Sequence, residues 1–595
     1  MRTHTVRRIT PAAGILVISA MSAMGAMSAC SPPGGGLSTD AGGATASVQT
    51  VTLGTAADSA GPAASMPGAR RGGTAVDLEE NGLDHLDPAQ VYVNREQVIS
   101  SLFVRTLTDY KIDPRTGRMV LVGDLATDTG EPSDGGRSWT YRLKPGLKWQ
   151  DGEPITSQQV KYGIERLYAS FETAGPQYLQ TWLSGSDYRS AYPGPYGGKS
   201  LPDSLVATPD NRTIVFHFQS PHADAPYAMA LPAASPVLPS KDTKTGYDQN
   251  PFSDGPYKIK SYQPGKAMIL ARNTFWDPKT DPLRNAYPDE WHIQLGISQP
   301  GLTQRLMASA DQDKDAVSLV SSADPAQMPT ILADAEYTRR TISQYQPFVD
   351  VFNINTSRVK DKRVRQAIMY AFPMKQIQIA LGGPAQGDLA TNLIGPTVTG
   401  FTADDPFGKL AEPTGDPAKA RQLLQQADVK NLKLTYVYAN TDRWQNVAVI
   451  LQKAMARAGI NLQTKAIDTT SYYSLIGKVT NNYDIYRSGW AADWPNASTV
   501  IPPTQDGRQV SDGSANYSHL QDPYVNSAID RINKITDLAQ QAAQWQQLSA
   551  YIMKNLTPQV PYLYDKYFQV YGTGLGGVTY NASLGTVNPN TIYVK

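Results

Sequence analysis

The chain has 595 residues, a formal charge of +1, 41% hydrophobic residues and one cysteine. With 54 basic residues against 53 acidic and no long Lys/Arg block, it carries no electrostatic footprint for nucleic acid. A single thiol excludes an internal disulfide framework, and the scattered histidines His85, His217, His222, His292 and His519 show no metal-ligand spacing, so neither a metal nor another cofactor is expected.

Residues 1–29 read as an export signal: Arg2, Arg7 and Arg8 precede an apolar run from Ala12 to Met27. That run is short for a bilayer crossing and is weakened by Gly14, Ser19, Ser22 and Gly25. Met27-Ser28-Ala29-Cys30 resembles a bacterial lipobox, which makes Cys30 the expected lipidation site; the alternative is a secreted protein cut nearby with Cys30 incidental. From 31 to about 72 the chain is rich in Gly, Ala, Ser, Thr and Pro, too poor in apolar side chains to offset backbone ordering, and reads as a flexible tether.

The folded part is expected to open with an edge strand, Gly73 to Leu78, followed by a short helical repeat from Val98 to Phe103. Ser138 to Leu143 alternates as a half-buried strand; Pro145-Gly146 and Asp151-Gly152 are turns around an extended Lys148 to Gln150. Thr156 with Gln159 three residues on forms a capping box, and Val160, Ile164 and Leu167 give the following helix its apolar face.

The run Trp139 to Thr156 resembles the signature of family 5 extracytoplasmic solute-binding proteins, which bind peptides or nickel for ABC importers, among them actinobacterial oligopeptide-binding lipoproteins. Asp254 to Ile259 with Gly265 and Arg272 to Trp276, Val351 to Thr356 with Asp361 to Ile368, and Tyr483 to Pro495 are similar to three further family segments, in the family order. The resemblance implies an α/β, two-lobed, periplasmic-binding-protein-like fold of type II, with an extra small domain inserted in the first lobe. The implied limits are 73–114, 226–348 and 556–595 for the first lobe, 115–225 for the insert and 349–555 for the second lobe.

Periodicity independently supports mixed α/β structure in the second half. Val364, Ile368 and Phe372 line one helical face, Leu432 to Tyr438 is extended, Trp444, Val447, Leu451 and Met455 form a second stripe, and Trp545, Leu548 and Ile552 a third.

The resemblance implies that Asp493 pairs with the amino end of a bound peptide, between Trp490 and Trp494; the local alternative is a turn aspartate beside Pro495. Trp490 and Trp494 are expected as ligand surface or as core tryptophans. Asn440 and Trp444, on a loop after a strand, are weaker ligand-facing candidates, with a capping role open for Asn440. Tyr472 and Tyr473, read as extended, would point oppositely, leaving one structural. Arg363 and Arg365 fit structural ion pairs better than carboxylate receptors, and Asp254 in Ser253-Asp254-Gly255 adds either a charge near the lobe interface or a simple turn.

An enzyme is not expected. Ser357-Arg358-Val359-Lys360 and Lys244-Thr245-Gly246 stand in the wrong order for a penicillin-recognising site, and neither a Gly-x-Ser-x-Gly elbow nor a His-Glu-x-x-His helix occurs. The expected protein is a lipid-anchored monomer on the outer face of the cell membrane, capturing peptides, oligopeptides first, for an ABC permease. A binder of another small solute or nickel chelate, and a cell-surface protein-interaction module, are the alternatives.

Overall fold

The computed structural model describes residues 51–113, 116 and 118–595; the export signal, Cys30 and the start of the tether lie outside the described residues. The alternating Ser138–Arg142 run is a strand, second in a four-stranded sheet with Glu131–Ser133, Thr213–His217 and Val206–Asp210. The capping box forms as its chemistry requires: Gln159 Oε1 accepts from the Thr156 amide at 3.0 Å, and the helix Ser157–Arg166 buries Val160 and Ile164. The same Gln159 oxygen accepts from Trp149 Nε1 at 3.0 Å. Lys144 donates to the carbonyls of Gly123 and Asp124, and burial pulls its pKa down to about 7.

A five-stranded sheet runs in the order Ala316–Val317, Thr74–Leu78, Glu290–Gln294, Ala267–Arg272, Tyr257–Gln263. Thr74–Leu78 lies inside it, parallel to both neighbours, and is not the edge strand its sequence suggested. Both partners come from more than 200 residues away, so no local pattern announces them. Its period of two sends Ala75 into one core with Leu270, Trp291 and Ile293, and Val76 and Leu78 into another with Leu302 and Leu306.

A six-stranded sheet carries the later chain in the order Gly387–Asp388, Gln559–Val570, Thr341–Ile354, Ile485–Ala491, Lys433–Ala439, Asn461–Ile467. The long antiparallel pair Thr341–Ile354 and Gln559–Val570 loses register between Tyr345 and Val349, where Pro347 has no amide to donate. One end of the pair, at Phe352 and Val560, belongs to a core running from Val349 to Tyr564; the other, at Phe568 and Val570, packs with Val76 and Leu78. The helix Lys362–Ala371 seats Val364 and Ile368 in the first of these cores, and the helix Asp442–Arg457 adds Val447, Leu451 and Met455.

Residues 51–72 correct the expected tether over its described part. Thr52–Leu53 pairs in parallel with Val120–Leu121, Ser59 is buried and accepts from the Gly123 amide at 2.9 Å, and Pro67 accepts from the Tyr593 hydroxyl at 3.1 Å. Composition missed this because backbone groups and the fold's own tyrosines make most of the contacts. No helix among the described residues is long and apolar enough to cross a membrane.

Candidate functional site

The strand Ile485–Ala491 pairs with Phe348–Ile354 and ends at Ala491, where the chain leaves one core for another. Ala492 and Ala497 belong to the core of residues 349–564, whereas Trp494 is inserted among the residues of the 51–238 core. Thr499 braces the turn between them: its hydroxyl accepts from the Asp493 amide at 3.2 Å, and its carbonyl accepts from Trp490 Nε1 at 2.6 Å.

This bridge presents the Asp493 carboxylate, half-buried, to two phenols from distant segments. Tyr92, just before the helix Asn94–Ser100, donates to Oδ2 at 3.0 Å; Tyr178, first residue of the helix Tyr178–Ser184, donates to the same oxygen. Burial raises the Asp493 pKa to about 6 against the lowering effect of the two hydroxyls. No cationic side chain pairs with it among the described residues. Asp493 lines a recess of about 480 Å³, its open mouth included, with Gln97, Ser100, Asp109, Tyr227 and Arg284.

Beneath the recess lies a buried charge network. Arg105 pairs with Asp124 at 2.7 Å, and Arg284 reaches Asp109 at 2.9 Å, Asp124 at 3.0 Å and Asp281 at 3.2 Å. Burial pushes Asp109 up to about 7 although Arg284 pulls it down. Asp254 is buried beside the network: its Oδ1 accepts from the Arg105 amide at 2.8 Å, and burial raises it to about 7. It is therefore an interior hydrogen-bonding group and neither an open charge nor a bare turn.

The other expected ligand-facing residues fall apart into separate places. Trp490 is half-buried over a small recess with Val349, Val351 and Ser488. Trp494 is buried, with its ring 4.5 Å from that of Tyr178. Trp444 lies under the Arg487 guanidinium, 4.9 Å from its ring, and Tyr472 is buried with its hydroxyl on the Arg487 carbonyl at 2.9 Å. Tyr472 opens the helix Tyr472–Ile476, which corrects the extended reading, and leaves Tyr473 half exposed. Asn440 is exposed and accepts from Gln445 at 2.9 Å. Arg363 pairs with Asp361 at 2.6 Å, and Arg365 donates to the carbonyls of Val359, Lys360 and Leu556, so neither is free to receive a carboxylate. Sequence reasoning missed Tyr92 and Tyr178, which stand 401 and 315 residues from Asp493 with no local motif.

The model of the bacterial extracellular solute-binding proteins, family 5 Middle, matches residues 120–512. The probable D,D-dipeptide-binding periplasmic protein DdpA of Escherichia coli (strain K12) is 23% identical over 528 residues, 85% of this chain and 92% of that protein. The periplasmic murein peptide-binding protein MppA of the same organism is 25% identical over 460 residues, 75% of this chain and 79% of its own. Among solved structures, clavulanic acid biosynthesis oligopeptide binding protein 2 superposes with a TM-score of 0.82 at 31% identity, covering 92% of this chain and 99% of the other.

Proposed function

We propose that this chain, which belongs to the bacterial extracellular solute-binding proteins of family 5, captures oligopeptides outside the cytoplasm by their amino end and hands them to an ABC importer. The family consists of solute-binding proteins of ABC importers with a two-lobed, type II periplasmic-binding-protein-like fold, and its members are not enzymes. The lobe limits we assign are those the resemblance implies, with 115–225 as the insert, and we assign Cys30 as the lipid anchor of a monomer.

The observation that carries the peptide reading is the Asp493 carboxylate, desolvated and lacking a cation but already oriented by two neutral donors. A carboxylate in that state gains most from a ligand that brings a positive charge and several N–H donors together, which a peptide α-ammonium does. Tyr92 and Tyr178 stabilise the charged form without neutralising it. Their hydrogen bonds to Asp493 tie the 92–178 segments to the 485–499 segment, so a ligand that strengthens this junction would favour a state in which the two lobes close on it. Closure follows only to the extent that ligand binds that state better. Trp490, near the end of the strand that leads into Asp493, is assigned as apolar ligand surface over its own small recess.

Calorimetric titration of the purified protein with free and N-acetylated short peptides tests the reading. Tight binding of the free peptide, lost on acetylation and in Asp493→Asn, is expected; equal affinity for both forms would remove the amino-end assignment, and binding of non-peptide solutes alone would redirect it to them.

A further inference from the structure

A second recess, of about 1100 Å³ with its open mouth included, shares no lining residue with the one at Asp493. It opens between residues 178–224 and the chain from Trp494 to Gln541. Among its lining residues is Asp224, only 6% exposed. Asp224 Oδ1 accepts from Asn496 Nδ2 at 3.0 Å, and no cationic side chain pairs with the carboxylate among the described residues. Burial raises its pKa to about 6, against the pull of Ser498 and Trp494.

The walls are aromatic. The Trp182 indole stacks on the His222 ring with centroids 4.0 Å apart, and Trp494 stands edge-on to Trp182 at 6.1 Å. Tyr178 completes the wall: its hydroxyl serves Asp493 while its ring lines this second recess. Burial holds His222 down at about 4, so it offers a neutral face at pH 7. Two charged residues also line the recess, both exposed: Asp530, already held by Arg508 at 2.8 Å, and Lys534.

Asn496, Ser498 and Trp494 all serve the Asp224 carboxylate as neutral donors, and none of them brings a counter-charge. The Asn496 amide needs only a neutral acceptor, and Gln541 Oε1 already provides one at 2.7 Å. A buried carboxylate without a counter-charge is costly unless something compensates it, and aromatic faces around it attract cations as well. We propose that this recess binds an organic cation, an ammonium or guanidinium group held by the Asp224 carboxylate and flanked by the Trp182 and Trp494 rings. The cation has two sources, a lysine or arginine side chain of the captured peptide or a free amine. The first rests on the peptide reading above; the second does not.

The test titrates the whole protein with cadaverine, agmatine and the neutral 1,5-pentanediol, following tryptophan fluorescence and heat. Saturable binding of an amine is expected, weakened about tenfold or more in Asp224→Asn and unchanged in Asp493→Asn, with the diol silent. Trp182→Leu leaves the Asn496 contact untouched and should weaken amine binding about fivefold, which covers the case in which Asp224→Asn fails to fold. No saturable amine binding by wild type, or equal affinity in wild type, Asp224→Asn and Trp182→Leu, would overturn the site. Peptides carrying lysine or norleucine at each of the first three positions then separate the sources. A lysine preference lost in Asp224→Asn assigns the cation to the peptide; intact amine binding without that preference assigns it to a free amine. Failure of the peptide reading shows instead as loss of all peptide binding with the amine response intact.

Discussion

The Tyr92 hydroxyl donates to the Asp493 carboxylate at 3.0 Å across 401 residues of chain. Since this hydroxyl and that of Tyr178 lower a pKa that burial raises to about 6, removing either should raise it further. In Tyr178→Phe the low-pH limb of peptide binding is expected to move up by about one pH unit, equivalent to losing a hydrogen bond to a charged group worth roughly 1.5 kcal/mol. Calorimetry between pH 5 and 8 reads the midpoint directly; an unmoved limb would detach Tyr178 from the site.

The pH profile of peptide binding in the wild type follows from the same carboxylate. Below about 6 the carboxylate takes up a proton and its charge is lost, so affinity should fall about tenfold per unit as pH drops. Above about 8 the peptide amine loses its proton. A plateau between these limits is expected for free peptides, and its absence would separate binding from Asp493.

Stability should run the opposite way. The folded pKa of Asp493, about 6, lies above its ordinary 3.8, so ionisation opposes folding. The penalty is absent below about 3.8, grows through the interval and is full above about 6, reaching on the order of 2–3 kcal/mol. Asp493→Asn should therefore raise the melting temperature of the ligand-free protein at pH 7.5 and leave it unchanged near pH 4, as calorimetric scans at the two values would show.

Regular elements were legible because their determinants are local. The Thr156 capping box, the Val364–Ile368 face and the Leu432 to Tyr438 strand rest on neighbours a few residues apart, and all three form. Asp493 was reached through a family motif, while the phenols that hold it and the buried Asp224 come from segments whose own spacing says nothing about the site. Thr74–Leu78 failed for the same reason, since interior position is a property of partners and not of the strand.

Arg284 connects Asp109, Asp124 and Asp281 with an exposure of 1%, so truncating it leaves Asp109 without its cation and Asp124 and Asp281 with Arg105 alone. Arg284→Ala is expected to cost about 3–5 kcal/mol in chemical denaturation. Asp254→Asn should cost less than about 1 kcal/mol at pH 7, since burial already holds that carboxyl at about 7 and an amide oxygen still accepts from the Arg105 amide. Similar losses for the two variants would mean that the network does not distinguish its cation from its border.

Residues 51–72 make contacts that a tether would not. The Gly54 amide donates to the Leu121 carbonyl at 2.7 Å, and Met66 donates to the Tyr287 hydroxyl at 2.8 Å. Gly123, in turn, donates to Ser59. Exchange of these amides requires the segment to lift from Leu121 at Gly54 and from Tyr287 at Met66, so hydrogen exchange should show both protected by at least a hundredfold over an unstructured chain. Removing residues 51–72 should also release Gly123 and lower the melting temperature by several degrees. Unprotected amides at Gly54 and Met66, with no change at Gly123 on truncation, would restore this stretch to the tether.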